Sequence, residues 1–257
     1  MESSLLLLHH GGGLGVTPAI EKSNRNLTGA RRRRSNGRVV VAAATKPSKE
    51  MTEYNDNWFD RLAIHHFSRS IQLTTGISND KKGYDGFVEA ASSVARNFDT
   101  KDQQRLVIET LNKAVPKAIT DMIKTLVPPS KFTRHFFSVF TTIFFPWLVG
   151  PCEVRESEFQ GQREKNVVYI PKCRFLESTN CVGLCTNLCK MPSQKFIQDS
   201  LGMPLYMVPN FEDMSCEMIF GQQPPEPEDD PALKQPCYKN LCIAKQNTGN
   251  LHCSSSK

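Results

Sequence analysis

Lys172-Cys173-Arg174-Phe175-Leu176-Glu177-Ser178-Thr179-Asn180-Cys181-Val182-Gly183-Leu184-Cys185-Thr186-Asn187-Leu188-Cys189-Lys190 holds four of the chain's nine cysteines, three of them spaced by fours. Thiols gathered this closely usually work together, as ligands of a metal or cluster, as a disulfide framework, or in redox chemistry. The plain alternative is a set of buried thiols acting as small hydrophobes. On a straight helix Cys181, Cys185 and Cys189 keep one face but climb ~1.5 Å per residue, leaving the outer pair ~12 Å apart. Sulfurs around one tetrahedral metal lie only ~3.8 Å from each other. Either the segment unwinds at Gly183, or two of the three act with a distant cysteine. Cys173, Cys216 and Cys237 are the candidates for that completion. The spacing matches neither the paired C-x-x-C of zinc ribbons nor the common ferredoxin runs, so an all-sulfur shell leaves zinc and iron–sulfur both open.

Strand signals flank this stretch on both sides. Glu153 to Phe159 alternates, Gln160-Gly161 turns, and Asn166 to Ile170 returns, a hairpin that delivers the chain to Cys173. Downstream, Ser193 to Leu201 reads as a helix capped by Ser193 and stopped by Gly202. Leu205 to Val208 and Cys216 to Phe220 read as a second strand pair around Pro209-Asn210. Glu226, Glu228, Asp229 and Asp230 fall in a proline-rich run that reads as a solvated loop. The tail from about residue 243 is polar and reads as loose.

The half of the chain before the hairpin carries helical periodicity. Asn55 or Asp56 caps a stripe of Trp58, Phe59, Leu62, Ala63, Phe67 and Ile71. A second stripe is Phe87, Val88, Ala91, Val94 and Ala95. Thr100 and Gln103 form a capping box for a third, with Leu106, Val107, Thr110 and Leu111. Pro116 opens a fourth that Pro128-Pro129-Ser130 ends. Together these predict an α+β fold: a helical N-terminal half packed with a small antiparallel sheet and a cysteine-rich C-terminal region.

Between the two halves lies the most apolar window, His135 to Val149, with Phe136, Phe137, Phe140, Phe144, Phe145 and Trp147. A spanning helix needs about 20 apolar residues, and this window is shorter and holds Pro146. The plain reading is a buried core helix; a sharper reading, compatible with it, is that part of the window lines an apolar ligand tunnel or dips into a membrane interface.

Residues 1–45 carry seven basic side chains against Glu2 and Glu21, are rich in small and hydroxyl residues, and end in Val39-Val40-Val41-Ala42-Ala43-Ala44. That composition predicts an organelle transit peptide; Leu5 to Leu8 is too short for the apolar core of a secretory signal. The whole chain is +6. With the segment's +5 removed, residues 46–257 keep 25 basic against 24 acidic side chains and form one domain. No general attraction for nucleic acid remains. A reducing organelle interior, and an odd number of cysteines, disfavour full disulfide pairing. There is no phosphate-binding glycine loop, nucleophile elbow or paired-histidine zinc motif. His65-His66 and His135 are ambiguous between surface and partial burial.

Four blocks carry a resemblance: Phe140–Glu156, Lys172–Lys190, Asn210–Gly221 and Asp229–Cys237. In this order they resemble the plastid β-carotene isomerases of plant strigolactone biosynthesis, small iron-containing proteins, from about Trp58 to Cys242. The resemblance implies reversible conversion of all-trans-β-carotene to its 9-cis form in the chloroplast. It further implies a non-haem iron cofactor, peripheral plastid membrane contact, and delivery of product to carotenoid cleavage dioxygenases. Cys173, Cys181, Cys185, Cys189, Cys216 and Cys237 are the candidate iron ligands, with Cys152, Cys242 and Cys253 set aside. Phe136, Phe137, Phe140, Phe144, Phe145 and Trp147 are the candidate substrate wall. No acid–base pair stands beside the thiols, so the expected mechanism is a reversible electron loan between cysteine-held iron and a polyene on that wall. Two other classes stand beside it: a cysteine-ligated electron carrier, and a zinc-stabilised module that binds carotenoid without changing it.

Overall fold

The computed structural model describes residues 52–237. The predicted transit segment, the tail from about 243, and Cys242 and Cys253 lie outside the described residues.

Five helices come first. They are α1 (Trp58–Thr75), α2 (Gly83–Asn97), α3 (Thr100–Ala114), α4 (Lys117–Leu126) and α5 (Lys131–Phe144). Their starts differ from the predicted caps by a residue or two. Asn57 caps α1: its side chain accepts from the backbone N–H groups of Phe59 and Asp60, and Asp60 reaches back to Asn57 N. Asp56 is drawn away by Arg174, which holds it through both guanidinium ends at 2.6 and 2.9 Å. Asp99, not Thr100, caps α3. Gln103 is instead turned wholly inward, where it donates to Phe98 O.

Pro146 removes an amide hydrogen and ends α5, so the aromatic window splits into α5 and the single turn α6 (Pro146–Val149). The expectation of a buried core helix holds for only one side of it. Phe137 and Trp147 are buried, whereas Phe136, Ile143 and Phe144 are exposed. Gly150 follows at φ +90°, and a Cβ there would press on Lys172 O at 3.1 Å, so only glycine fits this crossing.

The predicted hairpin forms as β1 (Glu153–Phe159) and β2 (Gln162–Ile170). Gln160 and Gly161 both take positive φ, the two-residue turn whose twist suits paired strands. β3 (Leu205–Pro209) and β4 (Cys216–Phe220) complete an antiparallel sheet of order β1-β2-β4-β3. Helix α5 packs on β1, β2 and β4, with Phe137 stacked on Phe220 at 5.8 Å.

The cysteine-rich stretch lies between sheet and helices. After α7 (Arg174–Thr179) the chain turns through Asn180 at φ 43° into α8 (Val182–Leu184). A π turn (Cys185–Lys190) and α9 (Met191–Leu201) continue without a break. Ser193 is therefore inside a helix, not at its start; Gly202 stops it as expected, at φ +70°. α2 packs on α7 and α8, α3 on the π turn and α9, and α9 on β3.

The acidic loop also differs from expectation. Asp230 is buried, accepts from Ala232 N at the start of a 3-10 turn (Pro231–Lys234), and pairs with the buried Lys190 ammonium at 2.7 Å. A lysine cannot be taken out of water without such a partner, and composition does not reveal which acid provides it.

Candidate functional site

Cys173 sits at the amino end of α7, its amide bonded to Met214 O at 2.7 Å. Cys216 begins β4, opposite Ile170 and Pro209. Cys185 and Cys189 lie in the π turn, where hydrogen bonds span five residues, as from Met191 N to Thr186 O. The turn is anchored from outside: Asn187 donates to Gln103 of α3 at 3.1 Å. These elements bring Cys173, Cys185, Cys189 and Cys216 onto one small cavity. Its other walls are Val149, Ile170, Phe175, Leu176, Met207, Pro209 and Lys190. Two of the evenly spaced cysteines, Cys185 and Cys189, thus line one cavity with Cys173 and Cys216 from distant parts of the chain.

Cys181 lies outside this set. Its Sγ accepts from Leu184 N at 3.4 Å and caps α8. Cys237, half-buried at the end of the described residues, does not line the cavity either.

Burial decides the state of the cavity thiols. Desolvation raises Cys173 and pushes Cys189 up to about 12. Cys185 and Cys216 are raised well above the ordinary thiol range, first by desolvation and then by neighbouring sulfurs; Lys190 pulls both back only in part. All four are therefore neutral S–H groups at neutral pH. A metal here would have to displace their protons. The donor type suits a thiophilic metal. The geometry does not assemble one: among the described residues no three His, Cys, Asp or Glu side chains approach closely enough to hold an ion.

A second, larger space adjoins the first. An apolar cleft with a volume of about 80 Å³, partly open to solvent, lies between α1, α2, α3 and the π turn. Phe67 and Ile71 line it from α1, Phe87, Ala91 and Val94 from α2, and Leu106, Val107 and Leu111 from α3. Phe175 and Cys189 line both spaces. The cleft thus has hydrocarbon walls, the hydroxyls of Thr75, Thr110 and Ser193, and one thiol shared with the sulfur cavity. Among the described residues no carboxylate, imidazole or ammonium lines it, so it is suited to an apolar guest.

The six aromatic residues expected to form a substrate wall are arranged differently. None of them lines the cleft; from that window only Leu148 does. Trp147 stands behind the wall, 5.2 Å from Phe67 and 6.2 Å from Phe87. Phe145 is 6.5 Å from Trp147, and Phe136, Phe140 and Phe144 run outward along α5.

Comparison with known proteins adds the family. A family model described as β-carotene isomerase D27-like, C-terminal, matches residues 147–229. A Medicago truncatula protein named β-carotene isomerase D27, chloroplastic, is 60% identical over 216 residues, 81% of this chain and 85% of the relative. The chain belongs to the D27-like β-carotene isomerases. An Arabidopsis thaliana protein of the same name is 53% identical over 199 residues, 77% of this chain and 75% of that relative. No solved structure matches.

In this D27-like chain most of the cleft residues were visible only as the inward stripes of three separate helices. Periodicity identifies such stripes, but not that they face each other across a gap. Asp230 as the partner of Lys190 had no local signal at all.

Proposed function

We propose that the chain reversibly isomerises all-trans-β-carotene to 9-cis-β-carotene in the plastid. The product would then pass to carotenoid cleavage dioxygenases at the start of strigolactone formation. Membership of the family supports the reaction class, and the names of the relatives support the substrate and the compartment. The regiochemistry and the pathway rest on the resemblance of the four sequence blocks.

One structural observation carries the site. Of the described side chains that line the cleft, Cys189 alone carries a titratable group, and it also faces three further thiols. Rotation about one double bond conserves atoms and electrons and needs no nucleophile or water. It requires a held substrate, a transient loss of double-bond order, and exclusion of competing reactions. The stripes of α1, α2 and α3 would hold and align the polyene, and Phe175 would press it towards Cys189. The buried thiol cavity behind, walled largely by apolar side chains, would keep water from the bond that turns.

Iron is proposed as the cofactor, on the resemblance, with Cys173, Cys185, Cys189 and Cys216 as its donors because these four face one cavity. Cysteine-held iron would supply reversible one-electron chemistry. At their present separations the four sulfurs do not hold an ion.

The test is anaerobic incubation of the purified protein alone with all-trans-β-carotene in detergent micelles, followed by chromatographic separation of isomers. Formation of the 9-cis isomer, and the same final mixture starting from 9-cis, is the expected result. No turnover without a second protein would leave the electron carrier as the better reading. Zinc with no turnover would leave the binding module.

A further inference from the structure

The outer side of the aromatic window forms a continuous apolar strip. Phe136 stacks near Phe140 at 6.1 Å, Phe140 on Phe144 at 4.4 Å, and Phe144 meets Phe59 of α1 edge-on at 5.9 Å. Phe59 in turn meets Trp58 at 6.1 Å. Trp58 is 76% exposed, Leu62 58% and Ile143 64%, although water is the least favourable neighbour for such groups.

Asp60, half-buried in the first turn of α1, is the one acid of the two helices α1 and α5. Helix α5 contains no acidic residue and begins with Lys131. On α1, the exposed residues Trp58, Leu62, His65, Arg69 and Leu73 follow helical spacing along one side, with apolar and basic groups but no acid among them. Aromatic and aliphatic side chains flanked by cations are the composition of a helix surface that lies in a headgroup layer.

The strip also continues inward. Phe140 touches Phe145 at 6.0 Å, Phe145 touches Trp147 at 6.5 Å, and Trp147 touches Phe67, which lines the cleft. An unbroken run of rings therefore joins the outer surface to the apolar cleft.

We propose that the face shared by α1 and α5 docks on a lipid bilayer, with Trp58, Leu62, Ile143 and Phe144 entering the boundary between headgroups and acyl chains. The choice of a bilayer over another protein rests on the proposed function, because a hydrocarbon substrate is dissolved in lipid. Among the described residues no helix is long and apolar enough to cross a membrane, so attachment by this face is one-sided.

Flotation of the full chain with vesicles tests this, using phosphatidylcholine alone and phosphatidylcholine mixed with phosphatidylglycerol. The wild type floats with both and more strongly with the anionic mixture. The triple variant Trp58→Ser, Leu62→Ser, Ile143→Ser partitions at least about tenfold more weakly, with unchanged circular dichroism and Tm. It turns over carotene from detergent micelles as the wild type does, but loses turnover when the carotene is embedded in vesicles. Wild type that stays unbound, or a folded triple variant that floats equally well, overturns the proposal. So does a wild-type dimer that the triple variant converts to monomer, since the face would then be a contact between copies. Failure of the wild type to isomerise carotene in micelles would sink the proposed function while leaving the flotation result to stand or fall by itself.

Discussion

Lys190 is 1% exposed, and its ammonium has three partners: Asp230 Oδ2 at 2.7 Å, Gln194 Oε1 at 3.1 Å and the carbonyl of Met207. The ring of Tyr206 lies 4.5 Å from the same nitrogen. Replacing Asp230 by leucine strands that charge beside the thiol cavity. Breaking a buried pair from one side costs about 3–5 kcal/mol, so urea unfolding of Asp230→Leu should show a midpoint lowered accordingly. Adding Lys190→Met to it should recover most of the loss, because the uncompensated charge is then gone. Val107 offers a different test at this scale. It is half-buried and borders the cleft, so Val107→Trp should fill the space with little effect on Tm and abolish isomerisation. Unimpaired turnover in that variant would separate the cleft from the reaction.

At the level of elements, the π turn decides which cysteines meet. A π turn amounts to one extra residue in a helix. Deleting Leu188 should restore regular helical bonding and rotate Cys189 away from Cys185. Helix content by circular dichroism should stay near wild type, while turnover falls to background. The hold between α5 and the sheet can be followed by pH. Arg134 grips Glu164 of β2 through two hydrogen bonds, at 2.7 and 2.9 Å, and these bonds hold the carboxyl below its ordinary value. Unfolded chain therefore binds the proton at higher pH than folded chain does. The contribution is whole above about pH 4.3, and is lost as the pH falls through the lower folded value. Thermal scans should show Glu164→Gln less stable than wild type at neutral pH, with the gap closing as the pH drops below about 4.3. Much of this level was legible in the sequence. The hairpin, its Gln160-Gly161 turn, the stop at Gly202 and four of the helices follow from local pattern and turn chemistry. Ser193 as a cap and Thr100 as a cap were not found, because serine and threonine also serve inside helices, and only tertiary packing decides which role applies.

Across the whole molecule, the site is a meeting of segments that local pattern cannot place. The cluster at 173–189 pointed to shared work for its thiols, and four of the six candidate cysteines do line one cavity. Cys216 arrives from the far strand of the sheet's second hairpin, and Cys181 is diverted to capping because α8 begins at Val182. The aromatic window was visible as the greasiest part of the chain. Its division into a buried inner side and an exposed outer side depended on which face the sheet would cover, and that is settled by packing against β1, β2 and β4. These parts join at Cys189, where the thiol cavity and the apolar cleft share a wall. The sharpest check on that junction is the isomer ratio produced anaerobically by Cys189→Ser, set against wild type and the Cys152→Ser control. Cys152→Ser should yield the 9-cis isomer as wild type does, while a folded Cys189→Ser should yield none above the uncatalysed background; wild-type turnover by Cys189→Ser would contradict the placement of the reaction at this thiol.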